Sequence, residues 1–145
     1  MICTFIGHRN IFYDIEENII ETLRKVIIEK NIKTFYLGNN GQFDKMVLRI
    51  LTSLSKEYDI NYYVVYAYIP TVKKMETISG NLTIVPDGIE KVPKKFAINY
   101  RNMWMIEKSD YLITYIDHTI GSCAANYVEI AKKKGKRIIY ITAKQ

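Results

Sequence analysis

The chain has 145 residues, 48% hydrophobic and 12% aromatic, which supplies one domain with a sizeable core and excludes a disordered chain. Its formal charge of +6 and pI of about 9.2 suit a phosphate-bearing partner, small or polymeric. Two cysteines, Cys3 and Cys123, make neither a disulfide framework nor a metal quartet, and two histidines, His8 and His118, are too few for zinc without carboxylate help.

In chain order, Ile2 to Ile6 is a short apolar run that ends in Gly7-His8-Arg9. It starts without a charged leader, and no stretch reaches ~18 apolar residues, so the expectation is a soluble, cytoplasmic protein without a membrane partner. From Asp14 a helical period takes over, with Ile15, Ile19, Leu23, Val26 and Ile27 on one face and Glu16, Glu17 and Glu21 toward the N-terminal half. The plan then repeats: Thr34 to Leu37 is a second strand, Gly38-Asn39-Asn40-Gly41 interrupts it, and Phe43, Met46, Val47, Ile50, Leu51 and Leu54 recur at helical spacing. A strand, a glycine loop and a helix in succession expose backbone N–H groups at the positive end of the helix, which suits an anion. The same Asn and Gly residues also make ordinary turns.

Tyr62 to Ile69 reads as a third strand, β-branched and aromatic, that stops at Pro70. Around Gly80, Pro86, Gly88 and Pro93 the pattern loosens, predicting an irregular excursion over about 71–93 with one extended piece at Leu82 to Val85. Excursions of that length are either functional or plain insertions. Lys94 to Ser109 is helical again, with Phe96, Tyr100, Met103, Trp104 and Glu107 three or four apart, a Met and aromatic stripe that reads most simply as core packing. Tyr111 to Ile116 is an apolar strand, Gly121-Ser122 opens a helix carrying Ala124, Tyr127, Val128 and Ala131, Gly135 stops it, and Arg137 to Ile141 is the last strand. Basic residues gather at Lys91 to Lys95 and at Lys132 to Arg137, the second run reading as a solvated helix end.

Strands alternating with helices, each strand apolar on both faces, predict an α/β fold: a doubly wound, mostly parallel, Rossmann-like sheet with helices on both faces, in a single domain over 1–145. Ligands of such sheets sit beyond the C-terminal strand ends, here Gly7-His8-Arg9, Gly38 to Gly41, Pro70, and Asp117 to Ser122. GHRN has one glycine where the dinucleotide fingerprint needs three, and no Walker sequence is present. Arg9 and Arg101 each offer a bidentate fork to phosphate, or a structural salt bridge. Asp44 either serves a site or caps the helix after GNNG. Tyr66, Tyr68 and Trp104 are available to stack on a ring.

FIGHR at the first strand, FYLGNNGQFDKMVL at the second, FAINYRNMWMIEKSDYLITYI and the glycine-initiated helix after it resemble the SLOG superfamily, specifically its small stand-alone GHR-bearing branch, over nearly the whole chain. That superfamily is Rossmann-like and includes the Lonely Guy phosphoribohydrolases, the DNA-processing protein A family, and sensor domains for ADP-ribose derivatives. The resemblance places Gly38 to Gly41 at the phosphate loop and Arg101 at the arginine of the Lonely Guy catalytic helix. Gly121 and Ser122 match the start of the motif PGGxGTxxE, which then degrades: Ile120, Ser122, Ala124 and Ala125 replace its proline, second glycine, third glycine and threonine. Glu129 comes one residue after the motif's glutamate, about 100° around a helix.

With that carboxylate displaced, the resemblance implies binding without turnover, of a nucleotide or an ADP-ribose-like, possibly cyclic, signalling molecule, for sensing or sequestration. The contacts expected are Gly7, His8, Arg9, Gly38, Asn39, Asn40, Gly41, Asp44, Arg101, Asn102, Asp117, His118, Gly121 and Ser122, with no metal and no cofactor. The alternative is a nucleoside-monophosphate phosphoribohydrolase with Arg101 and Glu129 as the catalytic pair, for which Asp117 and Asp44 are substitute carboxylates. A third is nucleic-acid binding, against which the lysines are dispersed. The resemblance also implies a homo-oligomer, a dimer or larger.

Overall fold

The apolar runs become strands β1 (Ile2–Gly7), β2 (Thr34–Leu37), β3 (Asn61–Val65), β4 (Leu82–Ile84), β5 (Tyr111–Tyr115) and β6 (Arg137–Tyr140). The amphipathic runs become helices α1 (Glu16–Glu29), α2 (Gln42–Leu54), α3 (Ala97–Lys108) and α4 (Cys123–Lys133). The structure, a computed structural model, describes residues 1–68, 82–118 and 121–143. Its sheet runs β4-β3-β2-β1-β5-β6 with every neighbouring pair parallel. β1 therefore lies between β2 and β5, with Cys3 opposite Phe35 on one side and Tyr111 on the other.

Both faces are covered, as a parallel sheet requires. α1 and α2 bury Ile19, Leu23, Val26, Phe43, Val47, Ile50 and Leu51 against Cys3, Phe5, Phe35 and Ile113. α3 and α4 bury Met105, Ile106, Ala124, Val128 and Ala131 against Ile6, Val65 and Leu112 on the opposite face. Cys3 is fully buried, and burial pushes its thiol pKa up, so it packs as an apolar group. α1 ends where Asn31 turns left-handed (φ 53°) and the Ile32 N–H closes on the Val26 carbonyl at 3.2 Å. Among the described residues, no helix is long and apolar enough to cross a membrane.

Three boundaries differ from expectation. The third strand stops at Val65, although the Tyr66 N–H still donates to the Ile84 carbonyl at 2.9 Å; Ile69 and Pro70 lie outside the described residues. Of the excursion expected over 71–93, residues 82–93 are described, and they contain β4 paired to β3 and a 3-10 turn at Ile89–Lys91. The helix expected from Lys94 starts as a 3-10 turn, Lys94–Phe96, entered from an extended Pro93, a tightening common at helix N-termini.

Candidate functional site

The strand order reverses between β1 and β5, and there the C-terminal strand ends open into a cleft of about 480 Å³. Its wall includes Gly7, His8, Arg9, Asn40, Asp44 and Arg101 on the β1 and β2 side. Asn102, His118, Gly121 and Ser122 line it from α3 and the loop after β5.

The two loops of the first side are stitched together by their backbones. The Gln42 N–H donates to the Arg9 carbonyl at 2.7 Å, and the Ile11 N–H donates to Gln42 Oε1 at 2.6 Å. Gly41 makes this approach possible: its φ is +102°, and a Cβ there would lie 2.7 Å from the Arg9 Cα. Gly38 serves a different need, since a Cβ on it would meet Asp44 Oδ2 at 2.8 Å and Arg101 Nη1 at 2.9 Å. The glycines of GNNG thus allow a carboxylate and a guanidinium to close over the backbone.

Arg101, from α3, is only 2% exposed. Its Nη1 donates to Asn39 Oδ1 and to the Val65 carbonyl, each at 3.2 Å, and Nε donates to Asn102 Oδ1 at 2.8 Å. Burial lowers its pKa and Asp44 opposes that most strongly, but a guanidinium stays charged at neutral pH. Asp44 reaches back from the first turn of α2 to accept the Asn40 N–H at 2.9 Å, so it ties the GNNG loop to the helix start and faces the cleft at once, without capping the helix as the alternative reading expected. Burial pushes its carboxyl up to about 6, against the downward pull of the Asn40 N–H and Arg101. Arg9 is exposed and has no carboxylate partner among the described residues.

On the other side, Asp117 joins the two histidines. Its N–H donates to His8 Nε2 at 2.9 Å, its Oδ1 lies 3.0 Å from the same nitrogen, and its Oδ1 also touches His118 Nδ1. The two imidazoles lie parallel with ring centres 4.3 Å apart, and Tyr115 meets His8 edge-on. Burial lowers the His8 pKa more than Asp117 raises it, and His118 lowers it further. Sequence reasoning found too little for a metal without a carboxylate; the fold supplies that carboxylate. Ser122 spends its hydroxyl on capping α4, accepting the Ala125 N–H at 3.1 Å.

The expected stacking residues stand elsewhere. Tyr66 is buried in the α1/α2 core, Trp104 stacks on Tyr36 with centres 5.5 Å apart, and the Tyr68 hydroxyl donates to the Lys94 carbonyl. Phe12, 78% exposed, and Tyr127 line the cleft instead. A loop aromatic outside any period gave no sequence signal, and Tyr127 carried only the signal of a helix face. Glu129 does not line the cleft; it is exposed and ion-paired with Lys132 at 3.2 Å, so the fold does not bring it to Arg101. Compared with protein-family models and with curated proteins, the sequence matches none.

Proposed function

We propose that the chain is a cytoplasmic SLOG-type protein that binds a nucleotide or an ADP-ribose-like molecule in this cleft, for sensing or sequestration. The observation that carries the reading is Arg101. A guanidinium almost wholly withdrawn from water, held through Nε and Nη1, still lines the cleft, where its fixed charge favours an anion. The exposed Arg9 adds a second fork across the stitched loops, and the start of α4 beyond Ser122 presents backbone N–H groups to the same space. A volume of about 480 Å³ suits a small molecule. Phe12 offers an exposed ring for a base.

The test is incubation of the purified protein with a panel of nucleotides, NAD and cyclic ADP-ribose isomers, then heat denaturation and chromatography of what is released. Recovery of one intact compound, lost in Arg101→Lys and weakened in Phe12→Ala, is the expected result. Stacking of this kind is worth about 1–3 kcal/mol per base, so the Phe12 variant should bind at least roughly fivefold more weakly. Failure of every compound to be retained would overturn the reading. Light scattering on the same material tests for a dimer or larger assembly.

One observation favours the hydrolase as a second reading. Asp44, rather than Glu129, is a cleft carboxylate lifted to about 6, in the range useful to a general acid or base. Free base and ribose phosphate among the released compounds, absent from Asp44→Asn, would establish it.

A further inference from the structure

We infer that His8, Asp117 and His118 form a binding site for a divalent transition-metal cation of the Zn²⁺ type, at the edge of the cleft where β1 and β5 end. One ligand atom from each lies within 4.8 Å of the others. Two imidazoles and a carboxylate suit Zn²⁺, Co²⁺, Ni²⁺ or Fe²⁺, whereas Mg²⁺ and Ca²⁺ prefer oxygen ligands alone.

The contacts around Asp117 add to proximity. Asp117 Oδ1 stands 3.0 Å from His8 Nε2, a nitrogen that donates to this oxygen when protonated and accepts the Asp117 N–H when not. With the imidazole neutral at Nε2, a divalent cation can take the proton's place between nitrogen and oxygen. His118 Nδ1 converges on the same oxygen, so three potential ligands are gathered around one point.

The ligands also differ in freedom as a metal site requires. His8 and the Asp117 side chain are held, at 7% and 15% exposure, while His118 is at 56%. The rings are stacked within 8° of parallel, and an ion must lie near the plane of each ring it binds, so His118 must swing out of the stack. Its exposure allows that turn. His8 and His118 both line the cleft, which directs the remaining coordination positions toward it. With one carboxylate the bound dication keeps a net positive charge. If the cleft holds a phosphate, as proposed above, an oxygen of that phosphate can complete the shell; the metal site itself does not rest on that reading.

The experiment uses the full chain, stripped with a chelator and titrated with Zn²⁺ alone by calorimetry, with no nucleotide present. A parallel Co²⁺ titration is followed by visible absorption. One ion per chain is expected, with Co²⁺ bands intensified by low-symmetry nitrogen and oxygen ligation. His118→Ala, at an exposed position and with its fold checked by circular dichroism, should weaken Zn²⁺ at least tenfold, since even outer-shell partners of a metal contribute about 10–100-fold. Asp117→Asn should weaken it similarly. Cys123→Ser, which removes the exposed thiol near the cleft, should leave affinity unchanged. The proposal is overturned by the absence of stoichiometric binding, by equal affinity in His118→Ala, or by loss of binding in Cys123→Ser. Because nucleotide is omitted, nucleotide retention can fail while Zn²⁺ still binds, and the reverse.

Discussion

On the β2 side of the cleft, Arg101 and Asp44 are buried, Arg101 is bonded to Asn39 and to the Val65 carbonyl on other elements, and Asp44 is bonded to the Asn40 N–H of the loop before its helix. On the β5 side, Asp117 and His118 lie on the loop after the strand, and His118 and Cys123 are exposed. The first wall holds a charge in place before any ligand arrives. The second presents more exposed side chains to the cleft. Order and exposure are thus divided between the ends of neighbouring strands, and for the ligand proposed above the ordered wall would supply preorganised charge.

The firmest way to break the first wall is Gly41→Val. A β-branched residue at φ +102° is strained by about 1–3 kcal/mol, and its Cβ also strikes the Arg9 backbone, so a loss of roughly 3 kcal/mol or more is expected in urea unfolding. Asp44 sharpens the comparison through pH. Its folded pKa of about 6 exceeds its ordinary 3.8, so the folded state holds the proton more tightly than the unfolded chain. Its contribution is therefore fully present below about pH 4 and is lost as pH rises through about 6, a change of about 3 kcal/mol over that window. In Asp44→Asn this fall in stability between pH 4 and pH 7 should flatten, as followed by the urea midpoint. The smallest effect belongs to the second wall. Ser122→Ala removes one helix cap and should cost about 1 kcal/mol, read as a modest drop in melting temperature.

Much of the fold was legible because each element carried its own period. Ile15 to Ile27 and Phe43 to Leu54 bury the faces their spacing marked. Strand order was not, since nothing local in Leu82 to Ile84 says that it pairs with β3, or that β5 returns to the far side of β1. The candidate site divides the same way. GNNG announced itself by composition, and its glycines are needed for close approach. The His8 and Asp117 contact spans 109 residues of sequence and is created only by the crossover. Trp104 carried two readings, core packing within a helical stripe and a ring for a ligand, and it packs on Tyr36, because a helical stripe reports burial before it reports chemistry.

The central place of β1 has a consequence in time. Its partners lie on either side, β2 about thirty residues later and β5 more than a hundred, as the pairings of Cys3 with Phe35 and with Tyr111 record. During synthesis the N-terminal half can bring Arg9 to the GNNG loop early, but Arg101 and the β5 edge join only when the last third of the chain has emerged. Loop closure over that separation is slow relative to the local pairings. Until then the nascent protein displays half a cleft, so ligand capture should lag behind the formation of secondary structure in refolding and mark the moment at which the whole chain is in place.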